Sequence, residues 1–345
     1  MDNVRKKMKN YINNKTILIT GGTGSFGKKF IGTVLKRYKP KKIIVFSRDE
    51  QKQFSLQKKF PEKINAPIRY FLGDVRDYDR VKYAFKNVDV VIHAAALKHV
   101  PVAEYNPFEF IKTNIIGAQN VIQASLENNV KKIIALSTDK ACSPVNLYGA
   151  TKLASDKLFV AANNYKGQLD SKFSVARYGN VMGSRGSVIP LFLSKKNEKF
   201  INITDKNMTR FNITLEEGVN FVLNCLNIMW GGEIFVPKIP SYRILDLAKA
   251  INPTAKIKIT GIRPGEKIDE EMISIHDSPN TLEAKNFFII SPILKQRDFK
   301  REYIKKNKSF KNVKTEFVYN SRNNENFLSI KSIKELIEKN LKDFD

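Results

Sequence analysis

Tyr148 and Lys152 are the most informative pair of residues in this 345-residue sequence, because they lie four positions apart. Residues at this spacing share one face of a helix. The lysine ammonium can then favour the tyrosine phenolate and lower a pKa that is about 10 in model peptides. Such a tyrosine can take the proton of an alcohol while a nearby cofactor takes the hydride. The sequence therefore predicts that Tyr148 is a base and that Lys152 tunes it.

Thr138, Asp139 and Lys140 form a second reactive cluster, which ends eight residues before Tyr148 and follows an apolar stretch. The carboxyl edge of a buried strand is where doubly wound folds place their ligands. Transfer of a hydride from an alcohol needs only a hydroxyl here, to hold the substrate. An extra acid and an extra amine indicate that a carbon also loses a proton and that a hydroxyl leaves as water.

This chemistry fits a hexose that is oxidised at C4, because a 4-keto group acidifies the hydrogen at C5. We expect Thr138 to orient the 4-hydroxyl and Tyr148 to take its proton. Lys140 would abstract H5, and Asp139 would protonate the 6-hydroxyl as it departs. The resulting enone would take the hydride back at C6, so the overall step regenerates the cofactor.

A glycine-rich turn with the spacing G-x-x-G-x-x-G at residues 21–27 predicts the cofactor site. It directly follows an apolar run at residues 16–19 and precedes a helical pattern at residues 28–35. Glycines allow the backbone to approach a pyrophosphate, which then lies at the helix N-terminus. The predicted contacts in this turn are Thr20, Gly21, Thr23, Gly24, Ser25, Phe26 and Gly27.

The end of the second predicted strand favours NADP over NAD. An acidic residue at this point holds the ribose hydroxyls in NAD-binding proteins, whereas a nearby arginine accommodates a 2′-phosphate. Ser47 occupies the expected position of the acid, Arg48 follows it, and Lys52 lies one turn on. Asp49 keeps NAD as an alternative if the register differs by two residues.

Two other predicted strand ends complete the cofactor site. Asp74, which is followed by Val75, is placed to reach the adenine, although it could instead cap a turn. The fourth strand ends in three small residues that leave room for the cofactor to cross the sheet: Ala94, Ala95 and Ala96.

Apolar runs alternate with helical segments through the first half of the sequence, which predicts a Rossmann-like, doubly wound parallel sheet. Residues 14–180, with a returning segment at about 213–239, are predicted to form the NADP-binding domain. Residues of about 181–212 and 240–345 are predicted to form a smaller, discontinuous substrate-binding lobe and C-terminal segment. The runs are Ile17–Thr20, Ile43–Phe46, Ile68–Leu72, Val88–Ala94, Lys132–Ser137 and Phe173–Arg177.

The helix after the fourth strand is predicted to begin with a capping box, with Asn106 as N-cap, Pro107 in the first turn and Glu109 three residues on. Its apolar face could pack on the sheet or on a second subunit, and we expect a homo-oligomer. That face comprises Ile111, Ile115, Ala118, Val121 and Ile122. Helices are further predicted at residues 191–196, 215–230 and 244–251, and a returning strand at residues 233–236.

Composition narrows the class of protein. The two cysteines, Cys142 and Cys225, have no metal-ligand spacing, and the sequence has only three histidines, so we predict no metal site. The low number of cysteines also indicates a reducing compartment. No apolar run approaches the ~20 residues of a membrane span, so we expect a cytoplasmic protein. The net charge of +26 comes from scattered lysines, which favours an anionic nucleotide substrate over nucleic acid.

Four motifs, at residues 20–27, 95–101, 137–141 and 148–152, together resemble the extended short-chain dehydrogenase/reductases. Within that superfamily the sequence closely resembles the inverting UDP-N-acetylglucosamine 4,6-dehydratases that open pseudaminic acid biosynthesis. The resemblance covers about residues 14–335. Further matching motifs lie at residues 177–181, 183–187, 208–211 and 263–267.

This resemblance implies that C5 is reprotonated on the opposite face, giving an L-arabino 4-keto-6-deoxy product. The source of that proton stays open among Tyr148, Lys140 and water. The resemblance also implies substrate contacts, and arginines among them suit a diphosphate because the guanidinium is a permanently charged fork. These contacts are Lys98, Tyr178, Asn180, Arg185, Arg210, Arg263 and Glu266.

Three other functions make different predictions. A nucleotide-sugar C4 or C5 epimerase would form no 4-keto-6-deoxy product, and a C4 epimerase keeps Tyr148 and Lys152 but has no use for Asp139 and Lys140. A cofactor-binding regulator would keep its role after Tyr148→Phe. A nucleic-acid-binding protein would bind random DNA tightly and in a salt-sensitive way.

Overall fold

A parallel sheet built from the predicted apolar runs forms the centre of the molecule. The computed structural model describes residues 11–64, 66–184, 186–292, 298–306 and 308–341. The first six strands lie in the order β3-β2-β1-β4-β5-β6, and all neighbours are parallel. This is the doubly wound order of a Rossmann-like fold, so the predicted fold class is confirmed. The strands are β1 (Thr16–Thr20), β2 (Lys42–Ser47), β3 (Ile68–Leu72), β4 (Val90–His93), β5 (Lys132–Thr138) and β6 (Lys172–Tyr178).

The helices between these strands explain why the runs are apolar throughout. All residues of β1 and β4 are buried, as expected of central strands that are covered on both faces. The helix Ser25–Arg37 packs beside Leu215–Ile228, while Tyr78–Ala84 and Leu147–Tyr165 both pack against Gly117–Glu127. The helix Glu50–Lys59 connects β2 to β3.

The segment after β4 differs from the predicted capping box. A short helix, Val100–Tyr105, precedes Pro107, and Asn106 ends it by donating its backbone N–H to the carbonyl of Val102. The Asn106 side-chain amide also donates to Val102 O at 3.2 Å, so it does not cap the next helix. Glu109 instead pairs with Arg76 at 2.7 Å. Asn106 does occupy the N-cap position of the helix Pro107–Phe110, and Pro107 lies in its first turn, as predicted. The predicted capping-box hydrogen bonds are wrong, because the Asn106 side chain bonds to the preceding helix instead.

The predicted apolar face beyond this point packs partly on the sheet. After the helix Pro107–Phe110, a π-helical turn spans Ile111–Ile116 and runs into Gly117–Glu127. Ala118, Val121 and Ile122 are fully buried in the main core, whereas Ile111 and Ile115 are only half-buried.

A smaller lobe with its own core follows β6. It contains β7 (Asn180–Val181), β8 (Phe200–Ile203) and β9 (Thr209–Ile213). The chain then returns to the main sheet as β10 (Ile234–Pro237), parallel to β6, which confirms the predicted returning strand. It next adds β11 (Ser241–Arg243) and β12 (Lys256–Ile259), which pair with β9 and β8. The lobe's helices are Val188–Leu193, Ile244–Ile251 and Ile330–Asn340.

Part of the segment predicted to belong to the lobe lies in the main sheet. β15 (Phe287–Ile290) is antiparallel to β10, and β14 (Thr281–Glu283) and β16 (Lys311–Asn312) follow it to the edge. Apolar side chains of β15 are buried in the main core, so pairing with the open edge of β10 removes them from water. The remaining elements are β13 (Glu271–Ile273), β17 (Tyr319–Asn320) and the helix Phe299–Lys306.

Candidate active site

The glycine turn brings together the cofactor candidates on β1 and β4. Gly21 has a φ of +65°, and a Cβ at this position would lie 2.9 Å from the backbone of Ala95, so only glycine fits. Thr20 Oγ1 lies 2.9 Å from His93 Nδ1 and accepts the N–H groups of Ala94 and Ala95 at 3.2 Å. These bonds fix the turn at the point where the strand order reverses, which is the ligand-binding position in this fold.

The helix Ser25–Arg37 points its N-terminus out of the turn. Its N-cap, Gly24, has no side chain, and the first N–H groups of a helix attract anions. A Cβ at Gly27 would lie 2.3 Å from the carbonyl oxygen of Gly22, so glycine permits the close approach of helix and turn. The cradle fits the pyrophosphate of a dinucleotide. Contacts from Ser25 and Phe26, in the first turn, stay predictions.

The end of β2 carries the residues from which the sequence predicts NADP, and that preference stays a prediction. Ser47 Oγ lies 2.9 Å from Thr23 Oγ1, which joins this strand end to the glycine turn. Asp49 caps the helix Glu50–Lys59 by accepting the N–H of Lys52 at 2.9 Å, and its carboxylate also pairs with the Lys52 ammonium. Asp49 is thus engaged as a cap, while the Arg48 guanidinium stays half exposed.

Asp74 takes the turn-capping role that the sequence left open beside adenine binding. It accepts the backbone N–H of Arg76 at 3.0 Å and pairs with the guanidinium of Arg76 at 2.7 Å and of Arg48 at 3.5 Å. Burial opposes ionisation, but these bonds hold the pKa of Asp74 below its usual range. Val75 is buried and Ala96 is exposed.

Tyr148 and Lys152 lie on the helix Leu147–Tyr165, as predicted, and both are buried. Burial raises the pKa of Tyr148 to about 12, against the opposing charge of Lys140 and a hydrogen bond with Thr138. Lys152 Nζ instead donates to the carbonyl of Leu136 at 2.8 Å. The expected lowering of the tyrosine pKa by Lys152 is therefore not found here, because the nearby cation that favours the phenolate is Lys140.

Asp139 is completely buried at the end of β5. Its Oδ1 accepts from Thr138 Oγ1 at 2.9 Å and from Lys140 Nζ at 3.1 Å, whereas Oδ2 has no hydrogen-bond partner among the described residues. A Cβ at Gly179 would lie 3.3 Å from Oδ2 and 2.4 Å from Phe211 Cβ, so glycine keeps space beside the carboxyl. Burial raises the pKa of Asp139, which suits a carboxyl that donates a proton.

Lys140 is held between two carboxyl groups. Its Nζ lies 3.1 Å from Asp139 Oδ1, 2.9 Å from Glu270 Oε1 and 3.4 Å from Asn180 Oδ1. Burial opposes the ammonium, but the two acids raise the pKa of Lys140 above its ordinary value. Sequence reasoning missed Glu270; the only local signal is its place three residues after the motif at 263–267.

Three of the predicted substrate residues lie around this cluster. Asn180 contacts Lys140 directly. Burial and the neighbouring Tyr148 raise the pKa of Tyr178, and desolvation followed by the charge of Lys140 lowers the pKa of Lys98.

The other predicted substrate residues form a second group. Arg210 is buried and donates to the carbonyl oxygens of Thr209 at 2.6 Å, Ile268 at 2.9 Å and Lys267 at 3.0 Å. It therefore holds the segment that carries Glu266. Arg263 is exposed and pairs with Glu266 at 2.9 Å. Arg185 lies outside the described residues.

Two hydrogen bonds connect the segment that carries Arg263 and Glu266 to the loop after Lys140. Asn146 Nδ2 donates to Gly265 O at 2.8 Å, and Lys267 Nζ donates to Cys142 O at 2.9 Å. Asn146 also caps the catalytic helix by accepting the N–H of Gly149 at 2.8 Å. The segment predicted to bind the nucleotide and the loop that carries Asp139 and Lys140 are thus one connected unit.

A sequence-family profile described as "Polysaccharide biosynthesis protein" matches residues 17–292, which include the glycine turn, the catalytic cluster and Glu270. The chain belongs to this family. Within the family, the UDP-N-acetylglucosamine 4,6-dehydratase (inverting) of Campylobacter jejuni is 58% identical over 94% of this chain and 98% of its own length. The resemblance seen in the sequence motifs is thereby confirmed.

Other relatives carry a different name. A protein named UDP-glucose 4-epimerase from Rickettsia bellii is 40% identical over 94% of this chain and 95% of its own length. Among solved structures, Pen from Bacillus thuringiensis is 40% identical and covers 96% of this chain and 99% of its own, with a TM-score of 0.86. DesIV from Streptomyces venezuelae, at 20% identity and a TM-score of 0.66, shares the fold.

In the described part of the chain, none of the helices has the length and apolar character needed to span a membrane.

Proposed function

We propose that this protein is an NADP-dependent, inverting UDP-N-acetylglucosamine 4,6-dehydratase. Its product would be UDP-2-acetamido-2,6-dideoxy-β-L-arabino-hex-4-ulose. The observation that carries this proposal is the pair of buried Asp139 and half-buried Lys140 beside Tyr148, in a chain that is 58% identical to a dehydratase of this name. An acid with a free oxygen, an amine and a phenol within one cluster supply the proton transfers that dehydration needs.

Each side chain has one task in this proposal. Tyr148 takes the proton of the 4-hydroxyl, which Thr138 orients, and the Lys140 charge favours the phenolate. Lys140 then removes H5, and Asp139 protonates O6 so that water leaves. A bound nicotinamide cofactor, held by the glycine turn, supplies reversible hydride transfer. The remaining proton, delivered to the opposite face of C5, has three candidate sources: Tyr148, Lys140 and water.

NADP is proposed from the end of β2. Ser47 takes the place of the acid that would hold ribose hydroxyls, and Asp49 is engaged as a helix cap. The half-exposed guanidinium of Arg48, with Lys52 one turn on, is suited to a 2′-phosphate. Lys98, Tyr178 and Asn180 are proposed to contact the sugar side of the substrate.

The diphosphate and nucleoside are proposed to lie along Arg185, Arg210, Arg263 and Glu266. The product would enter pseudaminic acid synthesis for flagellin or another surface glycan. We further propose that the protein acts in the cytoplasm as a homo-oligomer, with a UDP-sugar as its ligand and neither nucleic acid nor membrane as a partner.

An NMR time course with UDP-N-acetylglucosamine in deuterated water tests this function. We expect a 4-keto-6-deoxy sugar with deuterium at C5 and L-arabino coupling constants. A product with D-configuration would refute inversion, and with it the task given to Lys140. The relatives named UDP-glucose 4-epimerase make C4 epimerisation the second candidate. It predicts an epimeric sugar that keeps its 6-hydroxyl, with no loss of water.

A further inference from the structure

Glu270 lies at the centre of a buried chain of charges, yet the proposed chemistry gives it no task. Its Oε1 is 2.9 Å from Lys140 Nζ and 3.6 Å from Arg210 Nε, and its side chain is 2% exposed. Lys140 Nζ in turn lies 3.1 Å from Asp139 Oδ1. Two buried carboxyl groups therefore share one ammonium.

The backbone of Glu270 is fixed independently of this ion pair. Its N–H donates to Ser321 Oγ at 2.9 Å, and its carbonyl accepts the N–H of Ser321 at 2.8 Å. Ser321 Oγ is in turn 2.6 Å from Thr209 Oγ1. The side chain is thus aimed at Lys140 by contacts that a change of its charge leaves in place.

The two acids have unequal surroundings. Glu270 faces Lys140, Arg210 and, at longer range, Lys267, and these cations hold the pKa of Glu270 below its usual range although burial opposes ionisation. Asp139 faces Lys140 alone, and both burial and the charge of Glu270 raise its pKa. Two neighbouring carboxyl groups can take different roles, one as acid and one as base, when their surroundings give them different pKa values. Of the two acids, Asp139 is therefore the one that keeps a proton more readily, and Glu270 is the one that ionises more readily.

The other groups around the cluster do not reverse this order. Glu266 reaches the far side of Arg210 at 4.0 Å. Lys98 is a further cation near Lys140, and burial followed by the charge of Lys140 lowers its pKa. The other polar side chains that face the cluster are neutral: Thr138, Tyr148, Asn180 and Tyr242.

We propose that Glu270 is a positioning residue that sets the protons of the catalytic pair: it balances the Lys140 ammonium so that Asp139 stays protonated, and it accepts the Lys140 proton when the amine must act as a base. The inference rests on the proposed dehydration. Transfer of one proton from Lys140 Nζ to Glu270 Oε1 across 2.9 Å runs against the order of the two pKa values, so the free amine forms only transiently. The transfer leaves the net charge of the cluster unchanged.

The proton transfers then balance. The free amine of Lys140 takes H5, and the electron pair of the C5–H bond forms the C5–C6 double bond. The C6–O6 bond breaks as Asp139 gives its proton to O6, and water leaves. Lys140 ends as an ammonium, Asp139 as a carboxylate and Glu270 as an acid, so the cluster is as neutral as it began.

Glu270→Gln keeps the shape of the side chain and removes its charge. Lys140 is then left with Asp139 as its carboxylate partner, so Asp139 ionises and neither acid nor base is ready. We expect dehydration to slow by at least about 100-fold, the scale of general acid–base catalysis, with KM within about twofold. Reduction of bound cofactor by the substrate should persist, and the alkaline limb of the pH–rate profile should move to lower pH. Glu270→Asp should recover part of the rate.

Glu271→Gln is the matched control, because the adjacent Glu271 accepts instead from Ser143 Oγ at 2.9 Å and Cys142 Sγ at 3.4 Å. Its rate and pH profile should match those of the wild type. An unchanged pH limb in Glu270→Gln, or the same shift in Glu271→Gln, would overturn the proposal.

Infrared spectroscopy without substrate separates this proposal from the proposed function. The wild type should show a protonated-carboxyl band that Asp139→Asn removes and Glu271→Gln leaves. Glu270→Gln should also lose it. If the wild type does not convert UDP-N-acetylglucosamine, the proposed function fails, while this band still tests Glu270. If Glu270→Gln does not fold, the wild type and Asp139→Asn decide, and identical spectra would refute the proposal.

Discussion

Replacement of Arg48 by alanine tests how the protein distinguishes NADP from NAD. The guanidinium is 50% exposed and its one close carboxylate, Asp74, lies 3.5 Å away. Its exposed part can contact the 2′-phosphate of the proposed cofactor while Asp74 pairs with Nη1, and a hydrogen bond to a charged group contributes about 1.5–3 kcal/mol. Half exposure places the value in the lower part of that range. A loss of about 1.5–2 kcal/mol corresponds to a roughly 10- to 30-fold increase in the Kd for NADP.

The Kd for NAD should change by less than about twofold, because NAD lacks the 2′-phosphate that Arg48 is proposed to contact. Calorimetric titration with each cofactor, at low and at moderate salt, measures both values, and the NADP effect should shrink as salt screens it. Lys52→Ala is the control, since the Lys52 ammonium already pairs with Asp49, and it should weaken NADP binding less. Equal losses for the two cofactors in Arg48→Ala would refute the reasoning.

Two further predictions concern the catalytic amine and the buried histidine. Lys140→Ala should abolish deuterium uptake at C5, read by NMR in deuterated water; uptake at the wild-type rate would remove Lys140 as the base. Burial and Lys152 lower the pKa of His93 from 6.5 to about 3, so the unfolded chain binds this proton first and stability falls as pH falls below 6.5. In denaturant titrations between pH 6.5 and about 3, the free energy of unfolding of the wild type should fall by up to about 1.4 kcal/mol more per pH unit than that of His93→Gln. Parallel curves of unfolding free energy against pH would contradict this prediction.

The sequence was most informative where local pattern and burial coincide. Continuous apolar runs predicted β1 to β6 to within about two residues at each end, because strands covered on both faces must be apolar throughout. The capping box at Asn106 failed because the same residue ends the preceding helix, Val100–Tyr105. The sequence placed residues of about 240–345 in the substrate-binding lobe and C-terminal segment, and it did not predict that β14 to β16 extend the edge of the main sheet. An apolar run there does not say which strand it will pair with.

The chemistry of the active site was likewise predicted from the sequence only where it depends on local pattern. The sequence alone determined which reactive groups share a helix face or a strand end, since Tyr148 and Lys152 lie four residues apart on one helix and Asp139 and Lys140 are adjacent in the chain. Only the tertiary structure decided their charges. Glu270 reaches Lys140 from 130 residues away, and the pKa of Tyr148 rises because other segments exclude water from it. Desolvation and long-range ion pairs depend on packing between elements, and this packing cannot be predicted from a local pattern of residue types.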